Sequence, residues 1–299
     1  MWFKEAGPYA YWLPVAVLLT LVLGLVAVIA WGMNKRFPPA VALFGLFVGV
    51  LAPLAAQGMA ITQSLQAVAH ASAEMKATLI AAGISVSIMM HALPKLFLML
   101  PALGFIVLTG AVAAIRGERR PGPAIIAIAL GGLAALASAI AAYTSGAGYI
   151  NAPAYAVATI AIAAGLSSAP SSDPEEPNAG PTAAAAAALA FPILVTLCEM
   201  GTVAMNQIMV FEAVAHASSE TKITLMTNGL ALVNGGRLWS WLAIAAAWGV
   251  ALLGAAGAMD DDSSHNAGVM LGLMGAVAGT LAFGADAAPL FEQMMGSYR

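Results

Sequence analysis

Residues 67–85 read AVAHASAEMKATLIAAGIS, and residues 213–231 read AVAHASSETKITLMTNGLA. The two stretches align without a gap at an offset of 146 residues, and they are identical at 11 of 19 positions. Two copies of one stretch, nearly half a chain length apart, indicate a tandem duplication. The offset therefore predicts that each copy lies at the same place in its own structural unit.

The composition predicts a polytopic helical membrane protein. Of the 299 residues, 61% are hydrophobic and only 8% are charged, whereas a soluble domain has about 25% charged residues. The apolar runs are long and continuous, which favours membrane helices over a β-barrel. A net charge of −3 argues against nucleic-acid binding. The single cysteine, Cys198, cannot form an intramolecular disulfide.

The apolar runs predict an all-α fold with about eight transmembrane helices. The predicted spans cover residues 9–33, 40–65, 78–115, 124–143, 152–166, 183–211, 225–257 and 267–290. The third span contains Pro94 and Pro101, which predict a kink, and the seventh is predicted to be interrupted at 234–237 by Asn-Gly-Gly-Arg. At the repeat offset, span two corresponds to span six, three to seven and four to eight. The chain is therefore expected to hold two four-helix repeats, residues 1–150 and 151–299.

An even number of helices in each repeat gives both units the same orientation, so the repeats are parallel. An acidic, proline-rich linker at 167–181 lies within the second unit. Basic residues are clustered on one side of the predicted membrane, at 35–36 and at 116–120, and are single on the other side. Because basic clusters favour the cytoplasm, we expect both termini and both repeated turns to face outward, away from the cytoplasm.

The repeated stretch places the same polar residues in both predicted turns. These are His70, Ser72, Glu74 and Lys76 in the first copy, and His216, Ser218, Glu220 and Lys222 in the second. The histidines could sense pH or relay protons, because histidine titrates near neutrality. Alternatively the cluster only builds the turn: each serine would cap the following helix, and each glutamate would lie in its first turn.

Glu199 is the clearest candidate for an ionisable group inside the membrane. It lies in the middle of the sixth span, where a charge is costly and therefore often functional. A protonated carboxyl bonded to a neighbouring helix is the alternative. The residue at the equivalent position of the first repeat is Pro53. Arg237 corresponds to His91, so each repeat has a basic-capable residue at that position.

Several segments resemble the MotA/TolQ/ExbB family of proton-channel subunits. In the first repeat they are FGLFVGV (44–50), SLQAVAHA (64–71), GIS (83–85) and LPA (100–102); in the second, MGTV (200–203), VFEAVAHA (210–217) and NGLAL (228–232). The order and spacing of the segments agree with the family, and so does the predicted outward N-terminus. The family's paired threonines, thought to line the proton path, correspond here to about Met90–His91 and Gly236–Arg237. The resemblance implies a single-span partner protein with an acidic residue in its helix.

We therefore expect a membrane-embedded subunit of a larger homo- or hetero-oligomer that couples ion flow to work. Glu199, His91 and Arg237 are the candidates for its ion path. A non-conducting scaffold subunit is the alternative, and a small transporter with its site between the repeats is a third possibility. The sequence contains no nucleotide-binding, metalloprotease or cysteine–histidine metal motif, so we expect no enzymatic activity, no metal and no cofactor.

Overall fold

The computed structural model describes residues 18, 22–30, 33, 99–115, 118–119, 121–145, 151–169, 179–218, 220–258 and short runs between 269 and 283. In this part of the chain almost every residue is helical, which confirms the predicted all-α class. The main helices are α1 (Met99–Ile115), α2 (Pro121–Ser145), α3 (Asn151–Leu166), α4 (Ala179–His216) and α5 (Lys222–Ala258).

A two-residue antiparallel pair joins β1 (Glu118–Arg119) to β2 (Ser168–Ala169), which follows α3. This pair and the start of α4 lie at one end of the bundle, here called the linker end. The opposite end, at residues 217–221 between α4 and α5, is called the turn end. The predicted linker at 167–181 therefore includes strand β2 and the first residues of α4.

Helix α4 is the centre of the bundle, since residues 183–204 are all buried. Small side chains allow its neighbours to approach closely, which is a common way for membrane helices to pack. Gly254 of α5 lies against Ala188, and Gly165 of α3 lies near Ala184. These contacts and those nearer the turn end show that α3 and α5 both run antiparallel to α4.

Three of the helices are long and apolar enough to cross a membrane, over Gly122–Thr144, Ala183–Val214 and Thr224–Ala256. The outer faces of α2 and α5 expose large apolar side chains rather than charges. Examples are Ile125, Ile128 and Leu136 on α2, and Leu232, Leu238 and Leu252 on α5. Such surfaces fit contact with lipid, as the composition predicts.

Four of the predicted spans lie entirely within the described residues, and most of these four agree with the observed helices. Span 124–143 corresponds to α2 and 152–166 to α3, and α4 extends beyond 183–211 at both ends. The predicted interruption at 234–237 is wrong, because α5 is continuous there. Two glycines cost about 2 kcal/mol in a helix, but the apolar residues on both sides of them pack against the bundle. The other predicted spans lie wholly or partly outside the described residues.

The close contact between α1 and α3 gives a test of this packing. A Cβ atom at Gly110 would overlap the backbone carbonyl of Ala161, whereas one at Gly104 would meet no atom within 4 Å. We expect Gly110→Ala to lower the free energy of unfolding by about 1–3 kcal/mol through overpacking. Gly104→Ala on the same helix should be neutral or slightly stabilising. Thermal unfolding in detergent measures both; equal effects would contradict the described contact.

Candidate functional site

Glu199 lies near the middle of the apolar stretch of α4, sixteen residues after Ala183 and fifteen before Val214. Its side chain is fully buried. A buried carboxylate without hydrogen bonds is strongly unfavourable, so its surroundings decide whether the fold tolerates it. The contacts that the structure gives this carboxyl are therefore the centre of the candidate site.

Three neighbouring helices direct polar groups at the carboxyl of Glu199. Oε1 accepts hydrogen bonds from Ser138 Oγ of α2 at 2.6 Å and from Tyr155 Oη of α3 at 2.8 Å. Oε2 accepts from Ser240 Oγ of α5 at 2.5 Å. Asn151 Nδ2 of α3 lies 3.5 Å from Oε1, at the limit of a hydrogen bond. All of these partners are neutral, and all are buried.

Further hydrogen bonds fix the positions of the groups that contact Glu199. Asn151 Nδ2 donates to Thr202 Oγ1 at 2.7 Å, and Thr202 donates to the carbonyl of Cys198 at 3.0 Å. Tyr155 Oη also lies 3.2 Å from the carbonyl oxygen of Val195. The phenol thus has two acceptors within reach but only one proton to donate.

This geometry suits the carboxyl in both of its protonation states. When Glu199 is ionised, the Tyr155 proton can point to Oε1. When Glu199 is protonated, the Tyr155 hydroxyl can donate to the Val195 carbonyl and accept a hydrogen bond from the carboxyl O–H of Glu199. The serine hydroxyls can rotate in the same way, because each hydroxyl both donates and accepts. The hydrogen-bond partners of Glu199 therefore fit the carboxyl in either protonation state without a movement of any helix.

The start of α3 lies at the level of Glu199. Asn151 is its first residue, and Pro153 occupies the first turn, where proline is well tolerated. From there α3 runs toward the linker end, where Gly165 lies close to Ala184. The edge of the Tyr155 ring packs against Phe191, with ring centroids 6.1 Å apart. The N-terminal end of α3 thus lies beside the carboxyl, where the amide of Asn151 reaches it.

Arg237, the second predicted path residue, is directed elsewhere. Its guanidinium donates to the carbonyl oxygen of Phe283 at 2.7 Å and lies 5.2 Å from the centre of that ring. Trp241 packs edge-on against the same ring. The residue of α5 that bonds to Glu199 is Ser240, three positions after Arg237. His91, the equivalent of Arg237, lies outside the described residues.

The second copy of the repeated motif forms the turn between α4 and α5. His216 is the last residue of α4 and is exposed. The carbonyl of Ser218 accepts from the backbone N–H of Thr221 at 3.1 Å and from that of Lys222 at 3.2 Å. The hydroxyl of Ser218 bonds to that of Thr221 at 2.9 Å. These contacts support a turn-building role.

One detail of that turn differs from the prediction. Glu220 precedes α5 rather than occupying its first turn, because α5 begins only at Lys222. The first copy of the motif, with His70, Ser72, Glu74 and Lys76, lies outside the described residues. Among the residues that the structure describes, no group of three or more His, Cys, Asp or Glu side chains could hold a metal ion.

Sequence reasoning identified the carboxyl but missed the groups that bind it, which are Ser138, Asn151, Tyr155 and Ser240. Each is an isolated polar residue within or at the start of an apolar helix. That signal is weak, because single hydroxyls in apolar helices often bond to their own backbone. Thr109, for example, donates to the carbonyl of Phe105 at 2.7 Å.

Comparison with protein-family models, with curated proteins and with solved structures gives no match for this chain. The assignment of this protein to a structural class therefore depends on its own sequence and structure alone. In its described part it is an all-helical protein whose three long apolar helices fit a membrane protein, with one carboxyl bonded at the centre of the bundle.

The Tyr155 hydroxyl gives a direct test of the site. We expect Tyr155→Phe to lower the free energy of unfolding by about 1–3 kcal/mol, because buried acceptors lose a donor. Tyr143→Phe is the matched control on α2, since Tyr143 is 82% exposed. Its effect should be close to zero. Unfolding of both variants in detergent measures these free energies. A free energy of unfolding that Tyr155→Phe leaves unchanged would show that the phenol does not bond to Glu199.

Proposed function

We propose that this chain is an integral membrane subunit that binds and releases a proton at Glu199. It would do so within an ion-conducting assembly of the MotA/TolQ/ExbB type that couples ion flow to work. The observation that carries the proposal is a fully buried carboxyl at mid-span that is held by neutral donors from three helices.

The energetics of the site support an exchangeable proton. Replacing a buried charged group with a well-packed apolar one is often neutral or stabilising, so a carboxyl is not needed to hold helices together. A carboxyl does provide a proton that can leave. The hydroxyls around Glu199 can bond to the carboxyl in either protonation state, because each hydroxyl both donates and accepts. A protonatable group at bilayer depth is typical of ion and proton pathways.

The proposal for the wider assembly is based on the sequence. We propose eight transmembrane helices in two parallel units, residues 1–150 and 151–299, in a bacterial inner membrane with both termini in the periplasm. The chain would form a homo- or hetero-oligomer and would contact a single-span partner with an acidic residue in its helix. His91 and Arg237 remain candidates for a relay or an electrostatic gate in that assembly.

The two units would not contribute equally to ion binding. At the repeat offset, Glu199 corresponds to Pro53 and Ser240 to Pro94. Proline supplies neither a carboxyl nor a hydroxyl, so the first unit cannot form a second copy of this site. Ser138 nevertheless belongs to the first unit and bonds to Glu199. With the proposed division into two units, the site would lie where they meet, which is also where the transporter hypothesis would place it.

A non-conducting scaffold subunit is the second candidate. It is favoured by the observation that the chain itself supplies hydrogen-bond partners to both oxygens of Glu199. In that case the carboxyl would stay protonated permanently and would serve only to join α4 to its neighbours. The two functions differ in whether a proton crosses the membrane.

Proton flux into proteoliposomes tests the proposal, with the chain alone and with its co-purified membrane partner. We expect Glu199→Gln to reduce flux to the level of protein-free vesicles, because the amide keeps the shape of the site but binds no exchangeable proton. Glu212→Gln is the matched control on the same helix, since Glu212 is exposed, and it should conduct like the wild type. Wild-type flux that Glu199→Gln leaves intact would refute the role of Glu199, and absence of any flux would favour the scaffold.

A further inference from the structure

The two halves of α4 on either side of Glu199 differ in chemistry. Toward the linker end, residues 183–195 read AAAAAALAFPILV and are all apolar or proline. All thirteen are buried, and at 1.5 Å per residue they cover about 20 Å. Toward the turn end, α4 instead buries Thr202, Asn206 and Gln207, and then exposes Glu212 and His216.

Helix α3 closes the linker-end half. It starts at the level of Glu199 and runs only toward the linker end, covering α4 with Tyr155, Ile162 and Gly165. Besides the hydroxyl of Tyr155, which bonds to Glu199, α3 has one buried hydroxyl there, on Thr159, and it donates back to the carbonyl of Tyr155 at 2.7 Å. Within the described residues, the polar groups of this half therefore form no continuous chain leading to Glu199.

The turn-end half carries polar side chains in a row. Thr202 and Asn206 lie three and seven positions after Glu199, so all three residues share one face of α4. Asn151 connects the first two, because its amide reaches both Glu199 Oε1 and Thr202 Oγ1. This row leads away from the carboxyl toward the exposed end of the helix.

Asn206 places an unpaired acceptor in this row, where a water molecule would find a hydrogen-bond partner. The residue is only 3% exposed, and its Oδ1 atom has no hydrogen-bond partner among the described residues. Leaving a buried acceptor unpaired costs about 1–3 kcal/mol, whereas a buried water commonly bonds to such groups. The other unpaired buried atom of α4, Thr196 Oγ1, lies one turn on the opposite side of Glu199. Beyond it, residues 183–195 are all apolar or proline.

We propose that Glu199 exchanges its proton with one side of the membrane only. The route runs from the carboxyl past Thr202 and Asn206 to the turn end, through water held at Asn206, while residues 183–195 and α3 close the linker side. This inference rests on the proposed proton binding at Glu199. Transfer to the other side then requires a partner protein or a second conformation.

Within the described residues, few other titratable groups lie along this route. Tyr155 of α3 and Cys198 of α4 are the described titratable side chains next to Glu199, and Glu212 and His216 are exposed at the turn end. Helices α2 and α5 present hydroxyls to it, from Ser138 and Ser240. Arg237 on α5 bonds to the Phe283 carbonyl. The protonation that the experiment follows is therefore that of Glu199 itself.

A lipid-soluble carbodiimide reports this protonation, because it reacts with the protonated carboxyl. The acid proton moves to a carbodiimide nitrogen and a carboxyl oxygen bonds to the central carbon; the adduct rearranges to a stable N-acylurea on Glu199, which mass spectrometry detects. The full-length protein is reconstituted in vesicles whose inner and outer pH are set separately. Its orientation is determined with Ser218→Cys, an exposed turn-end position, and an impermeant maleimide.

We expect the rate of Glu199 modification to rise when the solution on the turn side is acidified. Acidifying the solution on the linker side should leave that rate constant. A response to the linker side, or to both sides equally, would overturn one-sided access while leaving proton binding at Glu199 intact. No modification at any pH would refute the proposed proton binding as well. Glu199→Gln should abolish the signal at this position, which confirms its assignment.

Replacing Asn206 tests the route itself. Asn206→Leu should slow the response to turn-side pH several-fold, because it removes the polar group that holds the water. Asn206→Ser should restore much of the rate, since a hydroxyl also binds water. Met205→Leu is the control, because Met205 is exposed on the adjacent outer face of α4. An unchanged rate in Asn206→Leu would exclude Asn206 from the route; if that variant fails to fold, the wild-type comparison of the two sides still decides the proposal.

Discussion

The structure depends on placing one carboxyl group at the centre of an apolar helix bundle. A buried carboxylate is tolerated only when several donors surround it, and a single helix cannot provide them all. Ser138, Tyr155 and Ser240 come from three different helices. The positions of α2, α3 and α5 relative to α4 are therefore coupled to one another through two oxygen atoms. A shift of any one helix would leave the carboxyl with fewer partners.

The rest of the packing makes that convergence possible. The alanines at 183–188 and the glycines opposite them bring the neighbouring helices close to α4 at the linker end. Close approach there brings the start of α3 to the level of Glu199, where Asn151 and Tyr155 can reach the carboxyl. The apolar half of α4 thus seals the site on one side and also sets its geometry. The half of α4 toward the turn end carries buried polar side chains, which close packing of the helices does not require.

The sequence predicted the helical class with long apolar helices, most bounds of the described spans and the position of Glu199 in the middle of one of them, because each follows from composition or apolar length. The role of Glu199 stays a prediction. It did not predict the partners of Glu199, since a serine such as Ser138 in an apolar helix gives no sign of which distant residue it contacts. The prediction at 234–237 failed because glycine propensity is local, whereas the continuity of α5 depends on packing along its whole length. The eight-helix layout and the family resemblance stay predictions.

The proline residues at the first-unit equivalents of Glu199 and Ser240 have a consequence for stoichiometry. A rotary or ring-shaped assembly moves a fixed number of ions for each complete cycle, and that number equals its count of binding sites. A ring built from this chain would have one site for every two four-helix units. Compared with a ring of the same circumference in which every unit bound an ion, it would use half as many ions per cycle and would gain a correspondingly smaller driving force from each cycle.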